Sequence, residues 1–273
     1  GEVLLLENAR FYPEEEKNNK EFAEKLAANF DVFVMDAFSA AHRAHASTRA
    51  VSEILPSFAG HLIVREIEML SAARDNPQKP FVLILGGAKV SDKIAVVENM
   101  LKKVDKILVG GGMAFTFLKA EGKEIGTSLC EADRLEYAKT MLAQAKELGV
   151  EILLPTDAVV APEFKADTPA TVVPTDAIPA DQMGLDVGPE TAKAFADAIV
   201  AAKTVLWNGP MGVFEMPAFS QGTQTVAKAL GDATAAGALT VVGGGDSAAA
   251  VAQFGYADKV SHISTGGGAS LEY

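Results

Sequence analysis

Two lysines four residues apart, Lys89 and Lys93, follow a pair of glycines in Gly86-Gly87-Ala88-Lys89-Val90-Ser91-Asp92-Lys93. Cations beside bare backbone amides can neutralise a polyphosphate and the charge of a phosphoryl group in transit. At this spacing both lysines would share one face of the first helical turns. The spacing is not that of a Walker A loop, and two solvated surface lysines are the competing reading. A second run, Gly243-Gly244-Gly245-Asp246-Ser247, follows Leu239–Val242. Its glycines allow close approach of a phosphate, Asp246 is placed to reach a Mg²⁺ carried on that phosphate, and Ser247 could add a hydroxyl. Asp246 is equally an N-cap candidate for the next helix. Gly110-Gly111-Gly112 and Gly266-Gly267-Gly268-Ala269-Ser270 complete a set of four clusters. Each stands where an apolar strand should end. Together they predict one edge of one sheet, presenting amides and helix N-termini to a polyphosphate.

Other segments add polar groups. Trp207-Asn208-Gly209-Pro210-Met211-Gly212-Val213-Phe214-Glu215 reads as a strand end and a tight loop, since Asn-Gly-Pro needs special backbone angles. Glu215 could take ribose hydroxyls, or be a solvated loop glutamate. Arg10, in Glu7-Asn8-Ala9-Arg10, and Arg43, in His42-Arg43-Ala44-His45, carry guanidinium forks suited to phosphate or carboxylate. Alone, each is equally a surface ion-pair partner. No His, Cys, Asp and Glu spacing reads as a structural zinc site.

The elements that must position these residues alternate along the chain. Strands are expected at Val3–Leu6, Val32–Asp36, Phe81–Leu85, Lys106–Val109, Glu151–Leu154, Thr204–Trp207, Leu239–Val242 and Val260–Ile263. Amphipathic stretches at 19–29, 61–75, 91–102, 113–121, 131–148, 189–202, 220–230 and 246–253 are expected helices. The alternation predicts βαβ units around a mostly parallel sheet. Residues 156–184, rich in Pro, Asp and Ala, read as loop with short strands. Prolines at 77 and 80 end the charged helix that starts at His61, and a domain break is expected at 61–79.

The formal net charge of −12 argues against nucleic acid and anionic membrane as main partners. It leaves a small phosphorylated ligand open, because local cations decide that. With 49% hydrophobic residues among 273, a full core can form. The single cysteine, Cys130, rules out an intrachain disulfide and fits a reducing compartment. No apolar run approaches the ~20 residues that span a bilayer. The chain starts at Gly1 without a methionine and stops soon after the last glycine cluster, so both ends read as cut.

These residues, taken in order, resemble the phosphoglycerate kinase family. The matching stretches are Leu6-Glu7-Asn8-Ala9-Arg10-Phe11, Asp36-Ala37-Phe38 through Ala41-His42-Arg43-Ala44-His45, Gly86 to Lys93, Gly110 to Ala114, Trp207 to Glu215, Gly243 to Ser247, and Ser264 to Ala269. The resemblance implies an α/β fold of two Rossmann-like three-layer α/β/α domains joined by a hinge helix, the N-terminal one incomplete here. Residues 1–60 would be a partial phosphoglycerate-binding domain, 61–79 the hinge, and 80–273 the nucleotide domain. The implied reaction is direct in-line phosphoryl transfer between 1,3-bisphosphoglycerate and MgADP, giving 3-phosphoglycerate and ATP, by a cytoplasmic monomer.

Carried over by resemblance, Arg10 and Arg43 contact the phosphoglycerate. Lys93, with Lys89 beside it, contacts the nucleotide phosphates and the migrating group. Gly87, Ala88, Pro210, Gly244, Gly245 and Ser247 line the phosphates, with Asp246 linked to Mg²⁺. Asn208 and Glu215 contact the nucleotide, and Gly110, Gly111 and Met183-Gly184-Leu185 form the adenine side. Gly267 and Gly268 offer backbone donors to the transferring phosphoryl. The family's opening strands, which supply an Asp, an Asn and an Arg at the transfer site, have no counterpart here, nor does its C-terminal tail. Ser39-Ala40 replace a more usual Gly-Thr, and Met35 a common Asn. The free chain is therefore expected to bind nucleotide and to turn over little, so a non-catalytic nucleotide-binding fragment is the alternative. A nicotinamide dehydrogenase is the other rival, but no G-x-G-x-x-G with a following acid stands after the first strand.

Overall fold

The computed structural model describes residues 2–267 and 269–273. The chain divides into two units, Gly1–Glu68 with Gly268–Tyr273, and Met69–Gly267. The division falls inside the helix His61–Asp75, whereas the two prolines place the new domain after it. The last residues group with the first unit rather than with the segment 80–273.

In the first unit, β1 (Phe33–Met35) pairs in parallel with β2 (Ser57–Ala59). The helix Lys20–Ala27 starts at Asn19, whose side chain accepts the Phe22 amide at 2.9 Å. It buries Ala23 in a cluster with Ala46, Ala50 and Val51. The strand expected at Val3–Leu6 does not form: the segment has no regular structure, and Val3 and Leu5 are 96% and 92% exposed. An apolar β-branched run becomes a strand only where a neighbour takes its backbone groups, and no strand is paired with it among the described residues. The three residues of β2 are too few to show alternation in sequence.

The strands of the second unit are, in chain order, β3 (Phe81–Leu85), β4 (Lys106–Val109), β5 (Glu151–Leu153), β6 (Asp157–Ala161), β7 (Thr171–Pro174), β8 (Met183–Val187), β9 (Thr204–Asn208), β10 (Leu239–Gly243) and β11 (His262–Ile263). Six of them form a parallel sheet in the order β11-β10-β9-β3-β4-β5. The chain runs outward from β3 through β4 to β5, then restarts at β9 on the other side of β3. The point where strand order reverses therefore lies between β3 and β9, where parallel sheets open a crevice at their carboxyl ends. Val82, Ile84, Val205, Trp207 and Val242 pack against the helices Pro189–Val200 and Gln221–Ala235. The alternate residues Phe81, Leu83, Leu85, Ile107 and Val109 are also fully buried, so both faces of these central strands are covered.

Residues 156–184 prove more ordered than a loop. β6 pairs antiparallel with β7 and β8 in a second, three-stranded sheet, and its Ala158 and Val160 share a core with Phe115 and Leu118 of the helix Met113–Ala120. This sheet supplies the caps that two helices lack. Pro189–Val200 begins at Gly188 and Gln221–Ala235 at Ser220, neither with a side-chain cap of its own. Asp157 of β6 accepts the Glu190 and Thr191 amides at 3.0 and 2.8 Å and the Thr191 hydroxyl at 2.6 Å. Asp186 of β8 accepts the Gly222 amide at 2.8 Å. Replacing Asp157 with Ala removes the acceptor of the buried Thr191 amide and of the part-buried Glu190 amide, and should cost about 1–3 kcal/mol of stability. A denaturant midpoint unchanged by Asp157→Ala would contradict this account of the cap.

Candidate functional site

Described glycines from each of the four clusters stand at one edge of the parallel sheet. Gly86 follows β3, Gly110 follows β4, Gly243 ends β10, and Gly266 lies just beyond β11, all at carboxyl ends of the parallel sheet. Asn208, which ends β9, leads to a fifth glycine, Gly209.

The glycines at the centre interlock. The Gly86 amide donates to the Asn208 carbonyl and the Gly87 amide to the Pro210 carbonyl, both at 2.9 Å. A Cβ on Gly86 would lie 2.2 Å from the Pro210 oxygen, and one on Gly209 would lie 2.2 Å from the Gly86 oxygen. One on Gly111 would lie 2.5 Å from the Gly87 nitrogen. Gly110 and Gly111 are buried in this knot, and the space beside Gly110 is filled by Met211. Gly184, on β8, receives the edge of the Phe115 ring, where a Cβ would lie 1.9 Å from Cζ.

Lys93 and Lys89 separate. The helical segment starts only at Ser91, as a 3-10 turn to Lys93 that continues into Ile94–Met100. Lys89 lies in the preceding bend, so the shared helical face expected from i, i+4 spacing is not formed. The helical segment begins at 91, the start expected from sequence, which leaves Lys89 outside its first turn. Lys89 is exposed, while Lys93 is half-buried and donates to Oδ1 of Asn208. That bond spans the point between β3 and β9 where strand order reverses. Burial pulls the Lys93 ammonium below its ordinary pKa, against the charges of Asp92 and Asp246.

Asn208 is 4% exposed, and its Nδ2 has no hydrogen-bond partner among the described residues. It faces Gly244, where φ is +91° and a Cβ would lie 3.1 Å from Nδ2. Gly244 is the N-cap of the helix Gly245–Gln253 and provides no side-chain cap, so the first-turn amides remain unpaired within the helix. Asp246 is not the N-cap that its sequence position also allowed; it is exposed in the first turn. Ser247 is fully buried, and its hydroxyl accepts the Gly209 amide at 2.6 Å, tying this helix to the Asn208 loop. Pro210 is buried, whereas Gly87, Ala88, Gly245 and Glu215 keep exposed surface. Gly267 has a φ of +50°; Gly268 lies outside the described residues.

Arg10 and Arg43 belong to the first unit. Both are exposed. Arg43 lines a cavity of about 410 Å³ with His42, Arg49 and Phe58, and Arg10 is not among its lining residues. The loop that carries Arg43 is held by Glu15, which is 3% exposed, accepts the Ser47 amide at 2.9 Å and lies 3.8 Å from Nδ1 of His45.

Sequence reading missed Glu15, Asp157 and Asp186. The signal was present, because a lone carboxylate in an apolar strand such as Leu185-Asp186-Val187 needs partners once buried. Burial pushes the Asp186 carboxyl up to about 7, against the amides of Gly222 and Val187.

This arrangement presents a half-buried cation, an orphaned amide donor and an uncapped helix N-terminus at one sheet edge, a fit for phosphate oxygens. The family model described as phosphoglycerate kinase matches residues 1–273. A phosphoglycerate kinase of Synechococcus sp. is 57% identical over the whole chain, which covers 66% of that relative. A chloroplastic phosphoglycerate kinase of Volvox carteri is 58% identical, with 59% of its length covered. This chain thus spans about three-fifths to two-thirds of these relatives. The solved phosphoglycerate kinase of Coxiella burnetii matches with a TM-score of 0.90 at 48% identity, covering 97% of this chain and 68% of that one. The chain belongs to the phosphoglycerate kinase family.

Proposed function

We propose that the second unit binds the nucleotide for phosphoryl transfer between 1,3-bisphosphoglycerate and MgADP, giving 3-phosphoglycerate and ATP by direct in-line transfer. The observation that carries this reading is the buried, unpartnered Nδ2 of Asn208 beside Lys93 and the uncapped start of the helix Gly245–Gln253. A buried amide donor without a partner costs stability unless a ligand meets it. Phosphate oxygens would accept from Asn208 and from the first-turn amides, while Lys93 neutralises their charge. Gly87, Ala88, Gly244 and Gly245 leave room for close approach, and Lys89 adds an outer cation.

Mg²⁺ would be carried on the nucleotide phosphates, where it offsets charge on the transferring group. Asp246 is the residue that would reach it. No cluster of three His, Cys, Asp or Glu suited to a metal occurs among the described residues, so the ion would need phosphate oxygens as well. Glu215 is exposed for the ribose, with Gly110, Gly111 and Gly184 framing the adenine side. Gly267 and Gly268 would donate to the transferring phosphoryl. Arg10 and Arg43 of the first unit would take the phosphoglycerate. We infer a cytoplasmic monomer; no helix among the described residues is long and apolar enough to cross a membrane.

Calorimetric titration of the folded chain with MgADP tests this reading. Saturable binding to one site, with none to NADH, is expected. A chain shown to be folded that binds no MgADP overturns it.

A further inference from the structure

The loop from Gly86 to Lys93 has no side-chain cap of its own where it turns into the helix. Neither Val90 nor Lys93, the residues that precede its two helical segments, provides a side-chain cap. The turn is closed by the Lys93 amide on the Val90 carbonyl at 2.9 Å. Its N-terminal end is held from outside by Glu131, forty residues away in sequence. Oε2 of Glu131 accepts the Ser91 amide at 3.1 Å, and Oε1 accepts the Ser91 hydroxyl at 2.6 Å.

Glu131 is itself anchored. Its amide donates to the hydroxyl of Thr116 at 3.1 Å, and Thr116 is buried in the helix that follows Gly110-Gly111-Gly112. Three residues earlier, the Ser128 hydroxyl accepts the Gly184 amide at 2.9 Å. The short stretch Ser128–Glu131 therefore straps together β8, the Gly112 helix and the lysine loop. Burial works against the Glu131 charge, but the Ser91 hydroxyl, the Ser91 and Val90 amides and Arg134 outweigh it and hold the carboxyl below the usual carboxylate range.

We propose that Glu131 is a positioning residue for the nucleotide phosphates: by pinning the backbone at Ser91 it aims Lys93 at Asn208 and the helix start at Gly245. This rests on the nucleotide reading above. It separates Glu131 from a residue that merely holds the fold, because only ligands that carry phosphate should sense its loss.

The test is titration of the chain and its variants with MgADP and with adenosine. Glu131→Ala should weaken MgADP binding about tenfold and leave adenosine within about twofold of wild type. Glu131→Gln keeps an acceptor oxygen and should fall between. Ser91→Ala removes one hydroxyl and should weaken MgADP about threefold; with Glu131→Gln it decides the matter if Glu131→Ala does not fold. Unchanged MgADP affinity in these variants, or a parallel loss for adenosine, overturns the proposal. A wild-type chain that binds no MgADP overturns the nucleotide reading and this inference together, whereas binding by wild type and variants alike overturns this inference alone.

Discussion

Replacing Lys93 with Met should weaken MgADP binding by about 10- to 100-fold, the span expected for one lost charge-assisted contact, and leave adenosine binding unchanged. Stability should move little, because two effects oppose each other. Met removes a partly desolvated charge that has no carboxylate in contact with it among the described residues, a gain. It also strips Oδ1 of Asn208 of its donor, a loss. The pH dependence separates the two. Burial lowers the Lys93 pKa in the folded state. Below that lowered value both folded and unfolded chains hold the proton and the penalty stands in full. Above it the folded chain sheds the proton while the unfolded chain keeps it up to about 10.4, so the Lys93 contribution to stability rises with pH across that window. MgADP affinity should fall over the same range as the cation is lost. In Lys93→Met both slopes should flatten. Titrations and urea unfolding from neutral pH to about 10.4 measure this, and a variant that binds MgADP like wild type would refute the role given to Lys93.

Gly209→Ala should cost about 3 kcal/mol or more. The added methyl would stand 2.2 Å from the Gly86 carbonyl oxygen, in a residue whose φ is +97°. The obstructing atom is backbone at the end of a central strand and cannot swing aside. Gly149 is the control. It ends the helix Leu135–Leu148 in the left-handed region at φ +72°, with nothing near its missing Cβ. Gly149→Ala should therefore show only the conformational penalty of about 1 kcal/mol. Equal denaturant midpoints for the two variants would mean that the glycine knot is looser than its distances indicate. The knot also sets the position of Asn208, so Gly209→Ala should lose MgADP affinity beyond what its stability loss explains.

The glycine clusters were legible in sequence because strand ends and positive-φ turns depend on local chemistry. The strands at Phe81–Leu85 and Lys106–Val109 and the helix His61–Asp75 form at the expected bounds. The left-handed Gly149 ends its helix where sequence placed it. Lys93, Asn208 and Asp246 were singled out as polar residues at these junctions, and electrostatics links Lys93 to Asp246 in the folded chain. Residue types and near-neighbour spacing were enough for that.

Tertiary structure alone decided the rest. Strand order, and with it the bond between Lys93 and Asn208 across 115 positions of sequence, depends on which strands pair. Val3–Leu6 has strand propensity but no strand beside it among the described residues, and propensity does not supply the missing hydrogen bonds. Lys89 and Lys93 part because the chain stays non-helical until Ser91, where Glu131 takes the first amide. Asp157 and Glu131 look like ordinary surface carboxylates in sequence, and Asp186, set in an apolar run, shows only that it needs a partner, not which one. Each acquires its role from a helix start brought to it by folding, since a carboxylate can cap amides far along the chain only when packing sets them within 3 Å or so.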